Sequence, residues 1–205
     1  MPWIFDPVAC QADLDALDHL LATNVELSER DDILPFFRNH PNLVAFLGSY
    51  NPNINTYDRL GAEVTLFGAF TADFVAGDWT NHTYCFVECE DARSNSIFVS
   101  RGRRTTDWSP RFDHGFSQIV DWLWMLDDQE HTLAFEEQFG ARPIDVTALL
   151  VVGRDSGISG ADRRRLKWRE KNIVVNSHHI YCTTFDDLLR VLRRRVQNWM
   201  RSPVE

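Results

Sequence analysis

The chain has 205 residues, of which 44% are hydrophobic, and a formal net charge of −9 at pH 7. That is enough apolar material for one well-packed core, or one core with a small helical appendage. The acidity argues against a protein that coats nucleic acid without specificity, because phosphate affinity comes mainly from Lys and Arg contacts that release counterions. No run of 18 or more apolar residues occurs, and the N-terminal MPWIFDPVACQADLD carries acids where a signal peptide needs a basic region followed by an apolar one. The expectation is a soluble, cytoplasmic protein that does not enter membranes. Cys10, Cys85, Cys89 and Cys182 form no CxxC pair, so neither a zinc site nor a disulfide framework is expected.

In chain order, residues 8 to 22 place Leu14, Leu17, Leu20 and Leu21 at helical spacing. Residues 25 to 47 predict a helix, a break at Pro41 and a short second helix. The turn-rich Asn51 to Asn55 then joins this helical N-terminal part to the remainder, giving a division at residues 1–50 and 51–205 of one compact unit. Residues 62 to 68, 71 to 76 and 83 to 90 are rich in Val, Phe, Thr and Tyr and predict a β-meander. A helix follows over 112 to 126. VTALLVV at 146 to 152 has the unbroken apolar character of a strand buried on both faces, stopped by Gly153. A basic helix around 160 to 170, strands at 173 to 175 and 180 to 183, and a closing helix from Phe185 to about Met200 complete the pattern. An antiparallel start followed by alternating strands and helices predicts an α/β fold, a mixed sheet flanked by helices.

Positive charge is almost entirely arginine, clustered at Arg101-Arg103-Arg104, Arg163 to Arg165 and Arg193 to Arg195. Arg163 to Arg165 is expected to be a solvated helix face. The loop VSRGRRTTDWSP, residues 99 to 110, is polar and basic and carries Trp108. Such a segment can track phosphates while its aromatic stacks on a base, or it can be a surface loop that contacts nothing.

The stretch ADFVAGDWTNHTYCFVECEDA, residues 72 to 92, puts carboxylates where a sheet is most often buried. A hairpin centred between Thr80 and Asn81 sets Asp73 directly opposite Glu88, with Cβ atoms roughly 5 Å apart. Strand alternation puts Glu90 on the same face and turns Cys85, Val87 and Cys89 to the other. Three such carboxylates need a cation or raised pKa values to coexist, and an oxygen-only cluster suits Mg²⁺ or Mn²⁺ rather than zinc. If the hairpin is shorter or the strand ends are solvated, they are ordinary edge acids.

The ordered set ADF, hairpin, FVECE, a helix carrying Gln118 to Trp122, LLVVGR ending at Arg154 and YCTTFDDLL at 181 to 189 resembles the Shedu anti-phage defence nucleases. DDILPFFRNHPNLV at 31 to 44 is similar to their helical lead-in. The resemblance implies a PD-(D/E)XK, restriction-endonuclease-like fold and hydrolysis of DNA phosphodiesters. It implies that Asp73 and Glu88 hold a divalent metal, with the Cys89 carbonyl as a further ligand. Gln118 would orient the substrate backbone or a metal-bound water, and Trp122 stands where related nucleases carry tyrosine, or is core. An acid from the first helix completes sites of this fold, with Glu29 and Asp32 both candidates.

The sequence departs from the family pattern at Glu90, where that pattern has lysine. Either Glu90 serves as a general base or second-metal ligand, or the chain is a catalytically silent DNA-binding or protein-interaction module. Arg93 is a displaced cation with poor proton-transfer chemistry, and Lys167 or Lys171 would have to approach through the fold. His114, one helical turn before Gln118, is a further neighbour. The implied partner is phage or plasmid DNA, alongside a second copy of the chain or another defence component.

Overall fold

The computed structural model describes residues 1–201. Helix α1 (Pro7–Thr23) starts at Asp6, whose carboxylate accepts the Val8 and Ala9 amides, with Pro7 in the first turn, where its missing N–H costs nothing. It buries Leu14, Leu17 and Leu21 against the closing helix α7 (Phe185–Arg201). Arg193 of α7 ties the two together through Asp15 and Asp18 at 2.7 and 2.8 Å.

The next helical segment begins later than its apolar spacing predicts. Leu27 pairs with Ala92 in an isolated antiparallel β-bridge, which holds its backbone out of the helix, and Ser28 caps a π-helical turn over Glu29–Ile33. That turn runs into α2 (Leu34–Arg38), and α3 (Pro41–Leu47) follows with its proline at the start.

Strands β1 (Arg59–Leu66), β2 (Phe70–Asp78) and β3 (Thr83–Cys89) form the predicted antiparallel meander. β4 (Phe98–Val99) and β5 (Asp107–Trp108) form a separate two-stranded ribbon inside the segment read as a loop. Helix α4 (Pro110–Gln129) follows, capped by Ser109, and then α5 (Leu133–Phe139). α5 has too few turns to show a period. Thr132 caps it, Gly140 ends it at φ 84°, and Phe135 and Phe139 anchor it to Phe67, Tyr84 and Phe86.

β6 (Asp145–Val151), helix α6 (Gly160–Asn172), β7 (Val174–Val175) and β8 (His178–Thr183) complete a six-stranded sheet of order β1-β2-β3-β6-β8-β7. β3 pairs with β6, and β6 with β8, in parallel; the other pairings are antiparallel. The sheet is therefore mixed, with β3 at the junction and buried along its whole length. Two cores flank it. One holds α1, α3 and α7 against Phe74, Cys85, Val87 and Leu149; the other holds α4 and α5 against Val75, Tyr84, Phe86 and Leu150. All four cysteines are buried free thiols. Among the described residues, no helix is long and apolar enough to cross a membrane.

The arginine clusters are more engaged than a solvated face would be. Arg163 pairs with Asp155 at 2.9 Å, and Arg165 pairs with Asp162 and donates to the Thr106 carbonyl, clamping the 99–110 segment onto α6. Arg195 donates to Ser49.

Candidate active site at the open end of the β2–β3 hairpin

Hairpin register decides where the carboxylates fall. The observed partners, Phe74 with Val87 through Asp78 with Thr83, have the predicted centre, and one more step sets Asp73 against Glu88. The ladder ends just there, because the Asp73 side chain takes the place of the next backbone partner: the Cys89 amide donates to Asp73 Oδ2 at 2.8 Å. The Glu90 amide donates to the Val151 carbonyl on β6. Alternation therefore turns both the amide and the carbonyl of Cys89 toward the opening beside Asp73. The site lies at the carboxyl end of parallel strands β3 and β6, the usual place for ligands in open α/β sheets.

Glu88, Glu90 and Asp91 are all buried, with 4%, 1% and 5% exposure, while Asp73 is half-buried. Burial raises the Asp73 carboxyl, offset by the Cys89 amide. Burial and then the neighbouring Asp73 and Glu90 charges push Glu88 far above the ordinary carboxylate range. Glu90 is pushed up to about 8 by burial and by Glu29, against the pull of Arg111. Glu88 Oε2 and Glu90 Oε1 are buried with no hydrogen-bond partner. Such orphaned oxygens are uncommon in a folded interior.

Helix α4 closes the site from above with one stripe of residues. Gly115 lies over Glu90, and a Cβ there would meet Leu150 Cδ1 at 2.7 Å and Glu90 Cγ at 3.1 Å, so only glycine admits the glutamate beneath the helix. Four residues earlier on the same stripe, Arg111 reaches three acids. Its Nη1 lies 3.3 Å from Glu90 and 3.4 Å from Glu29, and its Nε lies 3.4 Å from Asp91. Gln118, three residues after Gly115, continues the stripe and is half-buried.

Between the two acids of the lead-in segment, the structure selects Glu29. Its amide donates to Asp91, its carboxylate meets Arg111, and its charge reaches Asp73, Glu88 and Glu90. Asp32 turns back to accept the Ser28 amide.

The remaining candidates are dispersed. Trp122 is core, 1% exposed on the inner face of α4. His114 points to solvent. Arg93 pairs with Asp91 at 3.6 Å; Lys167 pairs with Glu170 along α6, and Lys171 lies exposed on the same helix. Arg101, Arg103 and Arg104 are exposed, Arg101 within 3.6 Å of Asp107. Trp108 is half-buried and packs between Phe98 at 4.5 Å and Phe112 at 4.6 Å.

Arg111, Asp91 and Gly115 had no place in the sequence reading. Once Gln118 is a candidate, stepping back by three and seven residues along its helix finds Gly115 and Arg111. Asp91 directly follows Glu90, but nothing in the strand period distinguishes it, because β3 has already ended.

Among the described residues, no three Asp, Glu, His or Cys side chains stand close enough to enclose one ion as placed. Asp73, Glu88 and the Cys89 carbonyl nevertheless form a hard oxygen set with an orphaned buried oxygen. That suits Mg²⁺ or Mn²⁺, which keep several waters and use one or two carboxylates. The same pair gives no thiolate or imidazole to attract a softer metal.

No curated protein matches this chain. The family model described as Shedu protein SduA, C-terminal, matches residues 26–189, from the strand-paired Leu27 segment into α7, and so includes every residue of the carboxylate site. This chain belongs to the Shedu family, in the part corresponding to the SduA C-terminal region.

Proposed function

We propose that this protein is a metal-dependent DNA endonuclease of the PD-(D/E)XK type. Family membership implies the anti-phage defence role; phosphodiester cleavage is the activity assigned here. The observation that carries it is the Asp73–Glu88 pair, with its unpartnered Glu88 Oε2, at the point where β2 leaves the ladder. Without a cation, two adjoining half-desolvated carboxylates destabilise the fold, so their retention calls for a ligand.

Asp73, Glu88 and the Cys89 carbonyl would hold Mg²⁺ or Mn²⁺. A cation bound there lowers the pKa of water, polarises the scissile phosphate and offsets charge on the leaving oxygen. The chain's own groups supply the rest. Glu90, with one oxygen free and a proton affinity near neutrality, can accept the proton of the attacking water. Arg111 holds the second oxygen of Glu90 and offers its remaining N–H groups toward a phosphate. Gln118 orients the backbone from the next turn of α4. Arg101, Arg103, Arg104 and Trp108 extend the surface along which DNA would run.

A second reading has its own support. Arg111 is engaged by Glu29, Glu90 and Asp91 at once, so the cation nearest the motif is neutralised internally, as in a nuclease scaffold retained only for binding. Cleavage of linear and supercoiled plasmid with Mg²⁺ or Mn²⁺ separates the two. Cutting by the wild type that Asp73→Ala abolishes supports the endonuclease. An inert wild type with an active Glu90→Lys variant identifies a silenced nuclease, and inertness of both leaves the binding module.

A further inference from the structure

Helix α6 carries six cationic side chains against two carboxylates, yet it also sets Trp168 outward at 65% exposure. The helical period explains the resulting surface. Ala161, Arg165, Arg169 and Ile173 follow one another at four-residue steps, and Arg164 and Trp168 form a parallel stripe beside them. Together with Trp108 they line a concavity of about 480 Å³, within the roughly 300–1,000 Å³ of small-molecule sites. Its aromatic walls are Trp108 and Trp168, and its arginines are backed by further rings: the Arg165 guanidinium lies 5.1 Å from the Phe98 ring centre, and that of Arg169 lies 4.8, 5.0 and 4.2 Å from Trp108, Phe112 and Phe116. Arg169 Nε is buried with no hydrogen-bond partner, and its Nη1 lies 3.8 Å from Asp113 Oδ1. Arg164 is exposed on the rim.

An exposed indole, guanidinium planes over aromatic rings and an unpartnered buried N–H together suit a flat, uncharged ring carrying an anionic group. We infer that this slot binds one unpaired nucleotide of a nucleic acid strand, its base stacked on Trp168 and its phosphate met by Arg164 and Arg169. Stacking of bases on aromatic side chains beside a basic track is how single strands are held without sequence readout.

The position fits a strand engaged by the carboxylate site. Asp113, which faces Arg169, lies two residues after Arg111, which faces Glu90, so the slot and the site flank the first turns of one helix. A helix is about 10–12 Å across with its side chains, a span of a few nucleotides of extended single strand. The substrate class that follows is DNA with unpaired nucleotides next to the cleavage position, such as an overhang or a locally opened duplex. This orientation rests on the nuclease reading; the slot itself does not.

The test is binding in EDTA, where no cleavage contributes, by fluorescence anisotropy of labelled blunt duplex, duplex with a four-nucleotide overhang, and single-stranded oligonucleotide. The wild type is expected to favour the two probes with unpaired nucleotides. Trp168→Ala, at an exposed position, should weaken those two by about 5- to 150-fold, the contribution of one stacked base, and Trp168→Phe should restore most of it. Arg164→Ala should weaken the same two probes and reduce their salt slope by about one. Equal affinity for all probes, or loss in Trp168→Ala that is the same for blunt duplex, would overturn the inference. Displacement of the oligonucleotide by micromolar adenosine monophosphate would instead identify a free nucleotide as the ligand and overturn the strand assignment. A wild type that shows the overhang preference but cuts nothing with Mg²⁺ refutes the nuclease reading and leaves the slot standing.

Discussion

Asp73 and Asp78 lie five residues apart on β2, and the fold treats them in opposite ways. Asp78 has no exposed surface, yet four donors meet it: the Asn55, Thr56 and Asn81 amides and the Asn81 side chain, at 2.8 to 3.0 Å. They outweigh its burial and hold its pKa near 2. Asp73 is less buried, accepts one amide and faces a second carboxyl, and its pKa is raised. Burial alone therefore does not make a carboxylate reactive; what matters is whether the chain has already supplied its partners. Asp78 is a structural clasp holding the 51–58 connection to the hairpin turn. Asp73 is left with a single amide donor and a neighbouring carboxyl.

Substitution should expose this difference most clearly in activity. Asp73→Ala is expected to lower metal-dependent cleavage by at least about 10²-fold, beyond the cost of losing an outer-shell contact. Its melting temperature should not fall, since a desolvated charge has been removed. A loss of fold in Asp73→Ala would erase the contrast.

Asp78→Ala should do the converse. With three backbone amides left without their acceptor, the fold should lose about 3 kcal/mol, a drop in melting temperature of roughly 6–12 °C, while the refolded fraction cleaves normally. An unchanged melting temperature would show that water replaces the carboxylate there.

The pH dependence sharpens the comparison. For Glu90, the unfolded chain releases its proton near pH 4.3 and the folded chain near 8. Through that interval the native state binds the extra proton, so its stability falls as pH rises, by a few kcal/mol in total with Glu88 contributing in the same direction. Asp78 works oppositely: its stabilisation is present at neutral pH and is lost only as pH falls from about 4 to about 2. Metal-free protein should melt lower at pH 8 than at pH 5, and Mg²⁺ should raise the melting temperature more at pH 8. Glu88→Gln should stabilise the metal-free protein at pH 8 by about 1 kcal/mol and remove much of the Mg²⁺ effect.

The smallest effect belongs to the exposed loop. Replacing Arg103 and Arg104 together with alanine should leave stability within about 0.5 kcal/mol and reduce the salt slope of duplex binding by about two.

Much of the fold was readable because its signals are local. The apolar run at 146 to 152 and the glycine at 153, which the structure shows at φ 74°, fix a buried strand and its stop within eight residues. The Asp73–Glu88 juxtaposition follows from the turn centre and the two-residue period of a strand. α5 and the β4–β5 ribbon were not readable, since each is short and is held by aromatic contacts from elsewhere. The site divides in the same manner. Asp73, Glu88 and Glu90 are neighbours by hairpin symmetry, whereas Glu29 and Arg111 come from segments separated from them by more than one element.

Most of the elements and their order, the face of the hairpin that carries acids and the family to which the chain belongs are legible in the sequence, because propensity, period and motif order are properties of adjacent residues. Only the tertiary structure decided that Glu29 and not Asp32 joins the site, that Gly115 makes room for Glu90, that Arg111 supplies the nearest cation, and that Asp78 is already satisfied. Each of these depends on which side chains meet across the sheet and helices, a matter of packing in three dimensions that no local pattern encodes.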